Sequence, residues 1–187
     1  MRFRHTLFAK SILALLLFTT AAQAQGLNLA LLDDNEYSAS SVYPLSPGRD
    51  YGVNGAFDGD RKGYGWGNGG GWNDATRDQY PDWLAIKFKR PMSVKRAVVV
   101  GLQYSFEAPV EPQPGMGYCY SHGVEDFALQ SSDDGVTWTT RAAVEENYEC
   151  IREVVLPSEV RAQYWRLLVT EAGDHYSRVV EWEIYSH

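Results

Sequence analysis

The side chains that could do covalent chemistry in this chain form no recognisable catalytic motif. A nucleophilic mechanism needs a Ser or Cys beside a base and an orienting acid, and glycoside hydrolysis needs a pair of carboxylates. Asp and Glu make up 24 of the 187 residues, but none of them falls in such a motif. Outside the first 24 residues the histidines are His122, His175 and His187, and their spacing differs from that of metal-binding motifs such as H-E-x-x-H. We therefore expect a protein that is not an enzyme.

The N-terminal segment has the features of a signal peptide. Three basic residues precede an apolar run at 12–18, which is followed by the small-x-small pattern Ala22-Gln23-Ala24 that signal peptidase accepts. The apolar run is shorter than the roughly 20 helical residues that cross a bilayer, and no later run replaces it. We predict a signal peptide at 1–24, a mature chain at 25–187 that is secreted or periplasmic, and no transmembrane segment.

The charge of the mature chain argues against nucleic acid as a partner. Removal of the leader takes away three basic residues and no acidic ones, so the formal net charge falls from −7 to about −10. A surface that follows phosphates needs clustered Lys and Arg, whereas the bases here are scattered. The charge pattern is typical of a solvated exterior.

The two cysteines of the chain are Cys119 and Cys150. If the chain is exported, they enter an oxidising compartment, where a single intramolecular disulfide is the simplest expectation. Two free thiols and pairing between molecules are the alternatives, and the spacing resembles no metal motif.

The elements that position the side chains are predicted to be short β-strands. Runs of β-branched and aromatic residues alternate with Pro, Gly and Asp, and Asp134-Gly135 joins two runs as the turn of a hairpin does. The predicted strands are 83–88, 94–102, 124–131, 136–139, 151–156, 164–170 and 179–185. Beyond the leader no segment has the apolar repeat of a helix, so the pattern predicts an all-β antiparallel sandwich.

Two segments between these runs are predicted to be loops. Residues 26–77 are rich in Gly, Asn, Asp, Ser and Tyr with at most short strands, and 103–122 contains three prolines without periodicity. Loops of that length are usually functional or disordered. Trp83, Trp138 and Trp165 lie in strand patterns with apolar neighbours, so we assign them to the core.

Motifs of one known family lie in the expected order along almost the whole mature chain. They are Ala39-Ser40-Ser41, Ala56-Phe57-Asp58-Gly59-Asp60, 81–88, 124–127 leading into 132–138, 164–167 and 181–185. The sequence resembles the coagulation factor 5/8 type C, or discoidin, domains. The resemblance implies one discoidin-type domain over 25–187, with a galactose-binding-like jelly-roll fold. The stretch from Asn54 to Trp83 also looks like that of bacterial extracellular discoidin modules, which are often attached to larger carbohydrate-active proteins.

The resemblance also implies a structural Ca²⁺ ion near the last strand. Calcium takes six to eight oxygen ligands, many of them backbone carbonyls. By resemblance, the ligands are the side chains of Asp58 and Glu181 and the carbonyls of Gly55, Asp60 and Val180. The alternative is an Asp-Gly turn without a metal and a solvent-facing Glu181.

Resemblance further implies a ligand site in the loops at one end of the sandwich. Sugar recognition needs flat aromatic faces for the C–H side of the ring and forked polar groups for the hydroxyls. The candidate residues are Trp66, Trp72 and Asn73 in the glycine-rich loop, Tyr104, Tyr118 and His122 in the long loop, and His175, Tyr176 and Arg178 before the last strand.

The expected function is that of an exported, non-catalytic carbohydrate-binding module for a cell-surface or extracellular glycan. The alternative is a protein- or phospholipid-binding adhesion module that uses the same loops, although the acidic charge counts against anionic lipid. A hydrolase built on the same scaffold is a third hypothesis, which activity against polysaccharides would reveal.

Overall fold

In the part of the chain that the structure describes, seven β-strands build almost all of the regular structure. The computed structural model describes residues 26–44, 46–117, 119 and 121–187, so the predicted signal peptide lies outside the described residues. The strands are β1 (Glu36–Ala39), β2 (Trp72–Asn73), β3 (Asp82–Gly101), β4 (Val124–Ser132), β5 (Thr139–Val144), β6 (Ile151–Ala172) and β7 (Arg178–Tyr185). Short 3₁₀ helices lie before β1 (Leu29–Leu31), between β1 and β2 (Val53–Phe57) and between β6 and β7 (Gly173–His175).

The strands form two antiparallel layers that share their longest members. The first half of β3 pairs with β1 and with the second half of β6, which in turn pairs with β4, and β4 pairs with β5. The second half of β3 pairs with β7 and with the first half of β6, and β2 pairs with β7. The predicted all-β antiparallel sandwich is therefore confirmed.

Prolines mark bends in the long strands rather than the strand ends that we predicted. The β3–β6 ladder shifts register between Lys87 and Met92 and again between Val94 and Arg96. Pro91 lies in the first irregularity, and Pro157 lies opposite the second. Proline cannot donate a ladder hydrogen bond, so it is tolerated where the pairing is interrupted. Each pair of predicted strands, 83–88 with 94–102 and 151–156 with 164–170, is one bent strand.

The hairpin after β4 has a longer turn than we predicted. Asp134 Oδ1 accepts hydrogen bonds from the backbone N–H groups of Val136 and Thr137, at 2.8 and 2.7 Å. These bonds keep both residues in the turn, and β5 therefore begins at Thr139 instead of Val136.

Large apolar side chains fill the space between the two layers. Trp72, Trp165 and Trp182 are fully buried there, and each such side chain contributes on the order of 2 to 3 kcal/mol of transfer free energy. The core assignment of Trp165 is confirmed. Trp83 and Trp138 are partly exposed, so their assignment to the core is wrong. Both line a cleft on the outer face of the sheet.

Cys119 and Cys150 form a disulfide, as predicted. It fixes the end of the long loop to the residue before β6, and both cysteines are buried. Backbone hydrogen bonds accompany the bridge: the Cys150 N–H donates to the Met116 carbonyl at 2.8 Å. In the described part of the chain, no helix is long and apolar enough to span a bilayer.

Candidate ligand-binding cleft

A cleft of about 280 Å³ lies at one end of the sandwich, where the loops before β2, β4 and β7 meet. We call it the loop cleft. Its volume is near the lower end of the usual range for small-molecule sites, about 300 to 1,000 Å³. It is lined by Tyr43, Tyr51, Trp66, Asn73, Leu102, Phe106, His122, Asp174, Tyr176 and Arg178.

The pairing of β2 with β7 positions two polar residues of the loop cleft. Asn73 lies directly opposite Arg178 in the ladder. A buried network holds the strand ends on either side: Asp74 Oδ1 accepts from the Ser177 N–H at 2.7 Å, and the Ser177 hydroxyl donates to Asp82 Oδ2 at 2.8 Å. Burial raises the pKa of Asp82, against the effect of the hydrogen bond from Ser177. Because every partner in this network is buried, Asn73 and Arg178 are held in place.

Four aromatic rings form a row along the loop cleft. Tyr51 meets Trp66 edge to face with ring centroids 5.5 Å apart. Tyr43 meets Tyr51 at 5.5 Å and Tyr176 at 5.6 Å in the same manner. Edge-to-face pairs at this separation are favourable and fix the ring orientations. The row therefore presents an ordered aromatic wall.

Glycine at position 71 allows Trp66 to approach the backbone. Gly71 has a φ of +143°, and a Cβ built there would lie 2.6 Å from the Trp66 ring. A larger residue would therefore press on both the indole and the Val179 carbonyl, 3.0 Å away, and would strain the backbone at this φ. Trp66 is partly exposed at the cleft.

Arg178 and Asp174 form the charged side of the loop cleft. The Arg178 guanidinium donates to Asp174 Oδ2 at 3.3 Å and to the Gly173 carbonyl at 3.4 Å. Its carbon lies 5.3 Å from the Tyr176 ring centroid, within cation–π range. Burial lowers the pKa of Arg178, although the charge of Asp174 opposes that effect.

His122 lies next to this charged pair. Its Nε2 is 3.9 Å from Asp174 Oδ2, and its Nδ1 is 2.8 Å from the Ser121 hydroxyl. Burial lowers the pKa of His122, and the charge of Arg178 lowers it further. The neutral imidazole is therefore favoured at neutral pH, which leaves one ring nitrogen as an acceptor and one as a donor.

One buried polar atom of the loop cleft has no partner. Asn73 is 4% exposed, and its Nδ2 donates to the Asp74 carbonyl at 2.9 Å. Its Oδ1 accepts no hydrogen bond from any residue that the structure describes. Leaving a buried acceptor unpaired costs about 1 to 3 kcal/mol. A ligand that donates a hydrogen bond to Oδ1 recovers that free energy.

A second buried acceptor lies apart from the loop cleft, at the predicted calcium site. Glu181 Oε2 accepts from the N–H groups of Asp58 and Gly59, both at 3.2 Å. Glu181 Oε1 is buried without a partner among the described residues. Burial raises the pKa of Glu181 to about 8, and the nearby carboxylates of Asp58 and Glu183 contribute. A solvent-facing Glu181, the alternative considered above, is excluded because the residue is fully buried.

The other predicted calcium ligands lie in the adjoining turn and strand. Asp58 Oδ1 accepts from the Asp60 N–H at 2.7 Å, and the Asp60 carboxylate accepts from the N–H groups of Lys62 and Tyr64. Gly55 lies against the glycine-rich loop, and Val180 precedes Glu181 in β7. Within the described ranges, no three Asp, Glu, His or Cys side chains cluster as a metal site does. An ion here would depend largely on backbone carbonyls.

Comparison with known families assigns the architecture that carries these sites. A family model described as the F5/8 type C domain matches residues 36–183. The chain belongs to this family. Among curated proteins, none matches the sequence.

Solved structures with the same fold as this F5/8 type C domain include several sugar-binding modules. The family 32 carbohydrate-binding module of Streptococcus pneumoniae EndoD is 20% identical, with a TM-score of 0.60, and the match covers 86% of this chain and 100% of that one. Chitosan-binding module 2 from a Paenibacillus sp. IK-5 chitosanase/glucanase, in complex with chitotriose, is 20% identical with a TM-score of 0.59, and the match covers 84% of this chain and 99% of that one. The family 32 carbohydrate-binding module of C. perfringens NanJ, in complex with galactose, is 16% identical with a TM-score of 0.55, and the match covers 80% of this chain and 92% of that one. At these identities the similarity shows the fold.

Five of the candidate ligand residues of this F5/8 type C domain meet in the loop cleft. They are Trp66, Asn73, His122, Tyr176 and Arg178. Tyr104 is 67% exposed and lies beside the cleft, where its ring contacts the His122 ring at a centroid distance of 5.9 Å. Tyr118 lies outside the described residues.

Two candidates lie elsewhere. Trp72 is 0% exposed, and its indole N–H donates to the Ser41 carbonyl at 2.8 Å, so the expectation that it offers an exposed ring is wrong. The reason is that β2 turns this side chain toward the core. His175 does not line the cleft: its Nδ1 is 2.6 Å from Asp78 Oδ1 on the exposed surface.

Several cleft residues carry no signal that a sequence pattern could reveal. Tyr43 and Tyr51 lie in an irregular segment without a motif, and Phe106 and Asp174 lie in loops. The density of tyrosine between 37 and 51 is the only local signal, and it does not say which rings face a ligand.

Proposed function

We propose that this F5/8 type C domain binds a glycan in the loop cleft and does not transform it. The observation that carries the proposal is the unpartnered Asn73 Oδ1, which is buried on the wall of the cleft. A sugar hydroxyl is a donor of the right kind and size to satisfy it. A purely apolar ligand would leave it unpaired.

The other groups that line the loop cleft complement the C–H face and the remaining hydroxyl groups of a sugar. The aromatic row offers apolar surface to the C–H face of a pyranose. Arg178 adds a planar set of N–H donors for vicinal oxygens, and Asp174 and neutral His122 add acceptors. The cleft therefore combines one ordered aromatic wall with polar groups beside it.

The similar structures support this proposal without deciding the sugar. They are named as carbohydrate-binding or chitosan-binding modules, and two of them hold chitotriose and galactose. The disulfide supports the further proposal that the chain is exported by its predicted leader to a secreted or periplasmic location, because such bonds persist in oxidising compartments.

The test is a glycan array followed by titration calorimetry with the best ligand found. We expect binding by the wild type and at least a tenfold loss in Tyr176→Ala and in Arg178→Lys, since the ring and the guanidinium fork are lost. Tyr148→Ala is the matched control, because Tyr148 is 52% exposed and lines neither the loop cleft nor the cleft on the outer face of the sheet. An empty array, together with sedimentation on phosphatidylserine vesicles, would favour the adhesion-module alternative.

We further propose that Glu181 and Asp58 hold a Ca²⁺ ion, with carbonyls of Gly55, Asp60 and Val180. The buried, unpartnered Glu181 Oε1 supports this proposal, because a cation compensates a desolvated carboxylate. The ion would tie the turn after the Val53–Phe57 helix to β7.

Thermal melting with Ca²⁺ or with chelator tests this proposal. We expect chelator to lower the melting temperature of the wild type and to leave Glu181→Gln unchanged. Glu171→Gln is the control, because it neutralises an exposed carboxylate at the end of β6. Identical melting of the wild type in Ca²⁺ and in chelator would refute the site.

A further inference from the structure

A second cleft, of about 460 Å³, lies on the outer face of the sheet formed by β1, β3 and β6. We call it the sheet-face cleft. Trp83, Ala85, Trp138, Tyr164 and Arg166 are among its lining residues. It shares no lining residue with the loop cleft.

Strand alternation and register create the sheet-face cleft. Leu84 and Ile86 point into the core, so Ala85 between them points to the outer face. Ala85 lies opposite Ser38 of β1 and opposite Arg166 of β6. A small residue with longer side chains around it leaves a depression, and Ala85 forms its floor.

The wall of the cleft is a stacked pair of side chains. The Arg166 guanidinium carbon lies 4.4 Å from the centroid of the Trp138 ring, and Arg166 Nε donates to Gln130 Oε1 at 2.6 Å. These contacts hold both side chains while Trp138 stays partly exposed. Among the described residues, the terminal guanidinium nitrogens of Arg166 have no hydrogen-bond partner. They are free to donate to a ligand.

The turn that carries Trp138 is rigid. Asp134 Oδ1 accepts from the Ser132 hydroxyl at 2.8 Å in addition to the two N–H groups of the turn. These bonds hold the pKa of Asp134 well below its usual value, the bond from Thr137 most of all, so the carboxylate is committed to the turn. Gly135, with a φ of +73°, lies against the Tyr164 ring: a Cβ there would be 3.1 Å from it. The aromatic surface is therefore ordered before any ligand arrives.

The charges that line the cleft balance. Glu36 pairs with Lys87 at 2.8 Å, and Asp134 and Arg166 supply one charge of each sign. The chain as a whole carries −7, which repels polyanions. An open, electroneutral trough with partly exposed rings and free N–H donors matches an uncharged chain of sugars. We propose that the sheet-face cleft is a second binding site, which takes an internal segment of an uncharged polysaccharide.

This site does not depend on the loop cleft, and the test separates the two. The probes are xylan, mixed-linkage β-glucan and galactomannan, each cast into a native gel, with polygalacturonate as the acidic contrast. Retardation of the wild type by at least one neutral polymer is expected. Trp138→Ala should weaken that retardation by about tenfold, the effect of losing roughly 1.4 kcal/mol of aromatic contact.

A second variant makes the test independent of any effect that Trp138→Ala has on folding. Ala85→Leu fills the floor without removing any lining ring, and it should weaken retardation to a similar extent. Tyr148→Ala is the control, and the melting temperatures of all variants are measured beside that of the wild type.

The outcomes divide clearly. Wild-type retardation in Trp138→Ala and Ala85→Leu, or no retardation by any neutral polymer, overturns the sheet-face site. Stronger retardation by polygalacturonate overturns the assignment to uncharged chains. If Tyr176→Ala abolishes retardation while Trp138→Ala and Ala85→Leu leave it at the wild-type level, the polymer binds in the loop cleft and the sheet-face site fails. If Trp138→Ala and Ala85→Leu both weaken retardation while Tyr176→Ala leaves it unchanged, the sheet-face site stands independently of the loop cleft.

Discussion

Removal of the disulfide should cost this protein a large part of its stability. Cys119 and Cys150 are separated by 31 positions, so the bridge closes a loop of intermediate length. In the chain-entropy treatment, a loop of that length restricts the unfolded state by about 3 to 4 kcal/mol at 25 °C. The double substitution Cys119→Ala/Cys150→Ala removes the cross-link and leaves only small apolar side chains in the buried positions.

The same substitution should weaken the loop cleft. The Cys119 carbonyl accepts from the N–H groups of His122 and Gly123, at 3.1 and 2.6 Å, so the bridge anchors the turn that places His122 in the cleft. Without the bridge, one backbone bond still ties this turn to the end of β6, from the Gly173 N–H to the Gly123 carbonyl at 2.9 Å, and the bond from the Cys150 N–H to the Met116 carbonyl holds only the preceding part of the loop. Ordering the loop then becomes a cost of binding, and glycan affinity should fall together with stability.

Urea unfolding followed by fluorescence measures the effect. We expect the free energy of unfolding to fall by about 3 to 4 kcal/mol. In a separate thermal melt, this corresponds to a fall of roughly 6 to 16 °C in the melting temperature of a chain of this size. Reduced wild type should match the double variant, which controls for the substitutions themselves. A loss below about 1 kcal/mol would refute the entropic argument, since the loop would then be equally restricted without its cross-link.

Three further predictions concern single residues. In chelator, the free energy of unfolding should fall as the pH rises from about 5 to 8. The reason is that Glu181 keeps its proton up to a pKa of about 8 in the folded protein but releases it near 4.5 in the unfolded chain. Urea titrations at several pH values measure this dependence, and Glu181→Gln should flatten it. Trp72→Ala should cost about 3 to 5 kcal/mol in the same assay, as loss of a fully buried indole does. Gly71→Ala should displace the Trp66 ring and weaken glycan binding in calorimetry, and unchanged affinity would show that this ring does not contact the ligand.

The fold could be predicted because its signals are local and repeated. Asp134-Gly135 indicated a hairpin, the alternation of apolar and polar residues in β4 indicated a strand, and the run of β-branched and aromatic residues in β7 indicated another. The bends in β3 and β6 could not be predicted in the same way, since a proline at a bulge and a proline at a strand end look alike in a sequence. Only the cross-strand partners distinguish them.

The candidate site was partly predictable for a related reason. Loop residues such as Trp66 and Arg178 stood out by type, but whether a ring faces solvent depends on packing that comes from distant strands. The sequence predicts Trp72 as a ligand-facing ring and Trp138 as a core residue, but Trp72 is buried in the core and Trp138 lies partly exposed beside Arg166. Six positions separate Trp66 from Trp72, and sequence context treats them alike.

The sharing of β3 and β6 between both layers has a consequence for how the molecule opens. Each of these strands is hydrogen-bonded in both layers, so if it separates from its neighbours in the first layer, its pairing in the second layer is disturbed as well. Neither layer therefore forms a unit that can come apart by itself. Native-state hydrogen exchange should find the slowest amides of β4 and of β7 released together, with one common opening free energy.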